Sequence, residues 1–84
     1  METISTQEAM EWIILTVKAY DRMRRETLQS VLGVHNSGTR GALICTAAEQ
    51  TGKMNGYKEA LAILMRAGLV PDDLTEDAEE VMKL

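Results

Sequence analysis

The sequence predicts an all-α protein: a long antiparallel helical hairpin followed by a short acidic C-terminal helix, assembled as a homo-oligomeric helical bundle. Three observations predict it. No Gly or Pro interrupts the chain between Ser5 and Gly33. Apolar residues recur there, and again beyond the next turn, with the period of a helix and nowhere with the period of a strand. Both long segments are apolar on two sides, and one neighbour covers only one side.

The first helix is expected over residues 5–33. Ser5-Thr6-Gln7-Glu8 fits the capping box, with the Ser5 hydroxyl on the Glu8 amide and the Glu8 carboxylate reaching back. About 28 residues of good helix formers follow, roughly 40 Å of helix. Gly33 suits a C-terminal cap. Val34 to Gly38 reads as a turn, with Asn36, Ser37 and Thr39 as candidate N-caps of a second helix over residues 38–67. Gly52 and Asn55-Gly56 weaken that helix, so it is either continuous or broken between Thr51 and Asn55 into a three-helix core. Gly68 ends it and Pro71 forbids continuation. Asp73-Leu74-Thr75-Glu76 then caps a short acidic helix over 73–83. The 84 residues form a single domain.

Composition narrows the classes. The chain has no Phe, one Trp, two Tyr and six Met, so its core is aliphatic and Met-rich. With 45% hydrophobic and 26% charged residues it is globular rather than disordered. No apolar run reaches the ~18 residues of a membrane span. Met1-Glu2-Thr3-Ile4 has neither a basic n-region nor a long apolar stretch, so no signal peptide is expected and the default compartment is the cytoplasm. A single Cys excludes an internal disulfide and a multi-cysteine zinc site. The net charge of −4 belongs to the tail from Asp72 to Glu80, because residues 1–66 are nearly neutral. A duplex-binding surface is normally basic, so nucleic acid is an unfavoured partner.

The helix faces carry the interface expectation. Helix one has a main stripe of Met10, Ile13, Ile14, Val17, Tyr20, Leu28, Val31 and Leu32. A second patch of Ala9, Trp12, Leu15, Ala19 and Met23 lies roughly opposite. That patch is covered either by a second copy of the chain or by the short C-terminal helix. Helix two has a broad apolar face from Leu43 to Met65. It also has a line of small residues at four-residue spacing, Ala48, Gly52, Gly56 and Ala60. That spacing lets helix backbones approach closely, unless the two glycines mark a loop.

Catalytic groups are not expected. His35 and Cys45 are each alone of their kind, and nothing in their spacing brings them together. Cys45, amid Leu43, Ile44 and Ala47, reads as a small core residue. His35 reads as a turn residue. Phosphate-loop, dinucleotide-fingerprint and nucleophile-elbow patterns are missing, as is a calcium loop, so no cofactor or metal is expected.

Two polar groups are ligand candidates. Asn36, Ser37, Thr39 and Arg40 open a helix, where free amides attract anions and an arginine adds a bidentate contact; the alternative is an ordinary capped turn. Tyr20 and Arg24 lie with Asp21 inside an apolar stripe. There a tyrosine can stack on a ring while the arginine holds a phosphate, or Arg24 simply pairs with Asp21.

Residues 26–42 also resemble a helix-turn-helix in Leu28, Leu32, Gly33 and Val34. The resemblance implies that Asn36, Ser37, Thr39 and Arg40 face DNA. It covers only some 20 residues. Gln29 stands where a small residue normally packs, and Thr39 where an aliphatic one does.

The expected function is therefore non-enzymatic binding that blocks or sequesters a partner protein or a small anionic, nucleotide-like ligand. Short chains of this kind serve as accessory or inhibitory factors in phages and mobile elements. The alternative is a helix-turn-helix-like DNA-binding regulator.

Overall fold

The computed structural model describes residues 5–84. The Met1 to Ile4 segment, and the signal-peptide expectation that rests on it, lie outside the described residues. Three helices follow in order: α1, Thr6–Leu32; α2, Ser37–Arg66; and α3, Asp72–Met82. No strand occurs among the described residues.

The Ser5 hydroxyl accepts the Glu8 amide at 3.1 Å, which starts α1 as half of the expected box. Gly33 closes α1 with an ordinary right-handed conformation (φ −94°), its amide donating to the Ser30 carbonyl and the Val34 amide to Val31. Of the three candidate caps it is Asn36 that begins α2, its side chain accepting the Thr39 amide at 3.0 Å.

α2 runs unbroken through Gly52 and Gly56, so the broken reading is not what the chain adopts. Each of those glycines costs the helix about 1 kcal/mol relative to Ala. The buried residues Ala47, Met54 and Leu61, at seven-residue spacing on one face, span the weak stretch and hold both of its ends to α1. α2 ends at a Schellman motif. Gly68, the one described residue with positive φ (+70°), donates its amide to Met65, and the Leu69 amide returns to Leu64. α3 begins one residue earlier than expected, after Pro71, with no side-chain cap. Asp73 is therefore not its cap; its carboxylate accepts the Gln7 amide group of α1 at 3.0 Å. Asp72 and Asp73 still sit in the first turn, where the helix dipole favours them.

α1 and α2 pack side by side and antiparallel. Trp12 and Tyr20 of α1 meet Tyr57 of α2, while Lys53, one turn earlier in α2, lies over Tyr20. The core joins Met10, Ile14 and Val17 to Met54 and Leu61, and to Leu74, Ala78 and Val81 of α3. α3 runs parallel to α1, from the Gln7 contact to the neighbourhood of Arg25. It is about 16 Å long beside a hairpin of about 40 Å, so the hairpin's far end has no third helix. The molecule is accordingly elongated. Its radius of gyration is 15.7 Å, against about 12 Å for a compact chain of this length. In that far end only Val31 and Ala47 are buried, and Leu28 and Leu32, expected in the main stripe, are exposed.

Candidate functional site

Asp21 is the one buried charged residue among the described residues, at 2% exposure. It lies on the α1 flank that α3 covers. One carboxylate oxygen accepts a hydrogen bond from Arg24 at 2.6 Å and the other pairs with the Arg25 guanidinium at 2.8 Å, three and four residues along the same helix. Helical spacing makes both contacts local, and a charge-assisted bond and a second cation offset the carboxylate's desolvation. Arg24 is thus committed to Asp21. Its Nε is buried without a hydrogen-bond partner, as is Oε1 of Gln50 on α2. Tyr20, one residue before Asp21, stacks on Tyr57 at 5.9 Å between ring centroids. Its ring face is occupied on that side, and the Lys53 ammonium stands 6.0 Å from its centroid.

The second ligand candidate is elsewhere. Asn36, Ser37, Thr39 and Arg40 are all exposed at the hairpin turn. The end of α1 at Leu32 is about 18 Å along the helix from Tyr20. The two candidate groups do not converge on one ligand. At the turn the Asn36 carbonyl oxygen Oδ1 is taken up by the Thr39 amide. Gly38 leaves room for that bond, since a Cβ there would stand 3.2 Å from Oδ1.

The interface candidates separate into two surfaces. Trp12, Leu15, Ala19 and Met23 are all exposed, Trp12 by 56%. α3 does not cover this patch; it lies across the other flank of α1, and of the four residues only Leu15 borders it, in a shallow concavity with Leu74 and Asp77. Ala48, Gly52, Gly56 and Ala60 lie on the outer side of α2, exposed. A Cβ added at Gly52 or Gly56 would meet nothing within 4 Å. Within the chain this line of small residues is therefore no seam. Cys45 is on the same outer side and is exposed, so the expectation of a core cysteine is corrected. The residues between Leu43 and Ala47 face outward because the buried positions of α2 fall every seven residues, and Cys45 lies half a turn away.

Sequence reading missed one grouping. Lys18, Arg22 and Arg25 of α1 border a second concavity with Asp21, Glu80, Val81 and Leu84. The signal was available in the spacing 18, 21, 22, 25, which shares one helical flank. What it lacked was the direction of α3. Two carboxylates face three cations there, and Asp21 already engages Arg25, so the concavity is a charged seam between helices. Among the described residues no three His, Cys, Asp or Glu side chains cluster as metal ligands, and no helix is long and apolar enough to cross a membrane.

No family model matches the chain, and no curated protein or solved structure matches it either. The functional reading therefore rests on the chain's own residues.

Proposed function

We propose that this chain is a non-enzymatic helical binding protein that blocks or sequesters a partner protein docking on the free end of the hairpin. One observation carries the reading. The 22 residues from Thr27 to Ala48 hold a single one of the chain's 22 charged residues (9 basic and 13 acidic), Arg40. The same segment exposes Leu28, Leu32 and Ile44, with Leu32 at 82%. Interface cores are depleted of charge, and exposed apolar groups without a third helix over them are the kind of surface a partner covers. An accessory or inhibitory role of the kind carried by phages and mobile elements fits a module built only to bind. A reducing cytoplasmic setting suits its exposed free thiol, Cys45.

A small anionic ligand is the second reading, favoured by Arg40 and the first-turn amides of α2. It is weakened by Tyr20 and Arg24, which lie far from the turn and are engaged elsewhere. Duplex DNA is weaker still, since one exposed cation neutralises little phosphate.

The test is affinity purification of the wild type, of Leu32→Asp/Ile44→Asp and of Arg40→Ala from the same cells, with native mass spectrometry of the eluates. A protein retained by the wild type and by Arg40→Ala, but lost by the double variant, is the expected result. A small phosphorylated compound lost only by Arg40→Ala would replace this reading with the second one.

A further inference from the structure

The flank of the hairpin turned away from α3 shares Thr27, Ser30 and Thr46 with the free end, and Trp12, Ala19 and Met23 set it apart. On α1 it consists of Trp12, Thr16, Ala19, Met23, Thr27 and Ser30, which fall within one arc of the helix at 100° per residue. Every one of them is exposed or half-buried, and no charged residue of α1 falls in that arc. The spacing Trp12, Thr16, Ala19, Met23 alternates four and three, which is that of a seam between packed helices.

The threonine and serine hydroxyls of the flank already donate within their own helices. Thr16 donates to the Trp12 carbonyl at 2.7 Å, Thr27 to Met23 at 2.8 Å and Ser30 to Glu26 at 3.0 Å. On the α2 side Thr46 donates to Ala42 at 3.0 Å. Covering these hydroxyls leaves no donor stranded, so the desolvation cost is small. The aromatic groups are held in advance: Trp12 meets Tyr57 edge-on at 5.5 Å, and Tyr57 stacks on Tyr20. Fixed Trp and Tyr anchors lose little side-chain freedom on binding.

We infer that a second copy of this chain occupies this flank, so that two hairpins close into a four-helix bundle with α3 on each outer side. Area and charge select this occupant. A face about 27 Å long, from Trp12 to Ser30, and two helices, about 20 Å, wide offers about 540 Å² on each copy, so the pair buries about 1,100 Å², above the roughly 1,000 Å² that a specific interface needs. The chain's −4 charge opposes self-association in general. The negative charge, however, resides in α3, whose residues 72–84 include six acids and one lysine. Docking through the opposite flank sets the two acidic helices at the far sides of the assembly. Glu26 borders the flank on α1, and on α2 it is bordered by Glu49 and Lys53, which are opposite in sign and one turn apart, so α2 adds no net repulsion.

Sedimentation equilibrium of the 84-residue chain over a wide concentration range tests this, with circular dichroism to verify helix content. The wild type should weigh as a dimer. Trp12→Glu and Ala19→Glu should each raise the dissociation constant by more than about thirtyfold, the size of a hot-spot loss, while keeping the helical spectrum. Ala19 is exposed, so its variant decides the matter should Trp12→Glu unfold. Ile63→Glu, on the outer side of α2, should leave the dimer intact. A monomeric wild type would overturn the inference. So would a dimer that survives Ala19→Glu and is dispersed by Ile63→Glu, which would move the interface to the small-residue line.

Discussion

The two flanks of the hairpin have opposite treatments of charge. The flank beneath α3 is rich in ions: Lys18, Asp21, Arg22 and Arg25 line it, and Glu80 approaches from α3. The flank away from α3 has no charge from α1 and carries Trp12, Ala19 and Met23. Within the chain, α3 closes over Met10, Ile14 and Val17 with the ions at its edge, and the aromatic side is left open. The difference teaches that α3 is tied down by three small or medium apolar side chains, Leu74, Ala78 and Val81. The larger aromatic area is kept for a second copy in our account.

Substitutions on the two sides should therefore report on different quantities. The largest effect on folding is expected at the shared core: Leu61, fully buried, truncated to Ala should cost about 2–5 kcal/mol in urea denaturation. A loss below about 1 kcal/mol would mean that the helices do not pack as described. Next comes Asp21→Ala, which strips both arginines of their partner. With Arg24 and Arg25 partly in solvent, a loss of about 2 kcal/mol is expected, less than for a fully enclosed pair. Gly52→Ala and Gly56→Ala point into open space, so each should stabilise the protein by about 0.5–1 kcal/mol. Destabilisation there would show that another surface covers that side of α2. Leu32→Ala, at the exposed end, should change stability by less than about 0.5 kcal/mol, and a larger loss would mean that the free end is covered.

Much of the architecture was legible in the sequence because the signals were local. The Ser5 and Asn36 caps, the long Gly-free first segment, and the stop at Gly68 and Pro71 each act within one turn of chain. Continuity through Gly52 and Gly56 was not legible from propensity alone. It depends on Ala47, Met54 and Leu61 finding α1, which is a tertiary effect. Cys45 was misread because its neighbours in sequence are apolar, whereas burial in a helix follows the neighbours three and four residues away. The Leu28 and Leu32 positions lie on the inward period, yet they outrun α3, and a periodic pattern does not say how far the third helix extends. Of the candidate site residues, the Asp21–Arg24 pair was legible from its helical spacing, whereas Tyr20 is drawn to Tyr57 of α2. The separation of both from Asn36 to Arg40 follows from helix length.

The most direct test of the open flank uses its own reporter. Trp12 is the chain's single tryptophan and is 56% exposed in one chain. Its fluorescence emission and iodide quenching can be followed from nanomolar to high micromolar protein. The account predicts a blue shift and loss of quenching as concentration rises, with a midpoint that Ala19→Glu moves to higher concentration. An emission spectrum and quenching constant unchanged across that range, equal in wild type and Ala19→Glu, would contradict it.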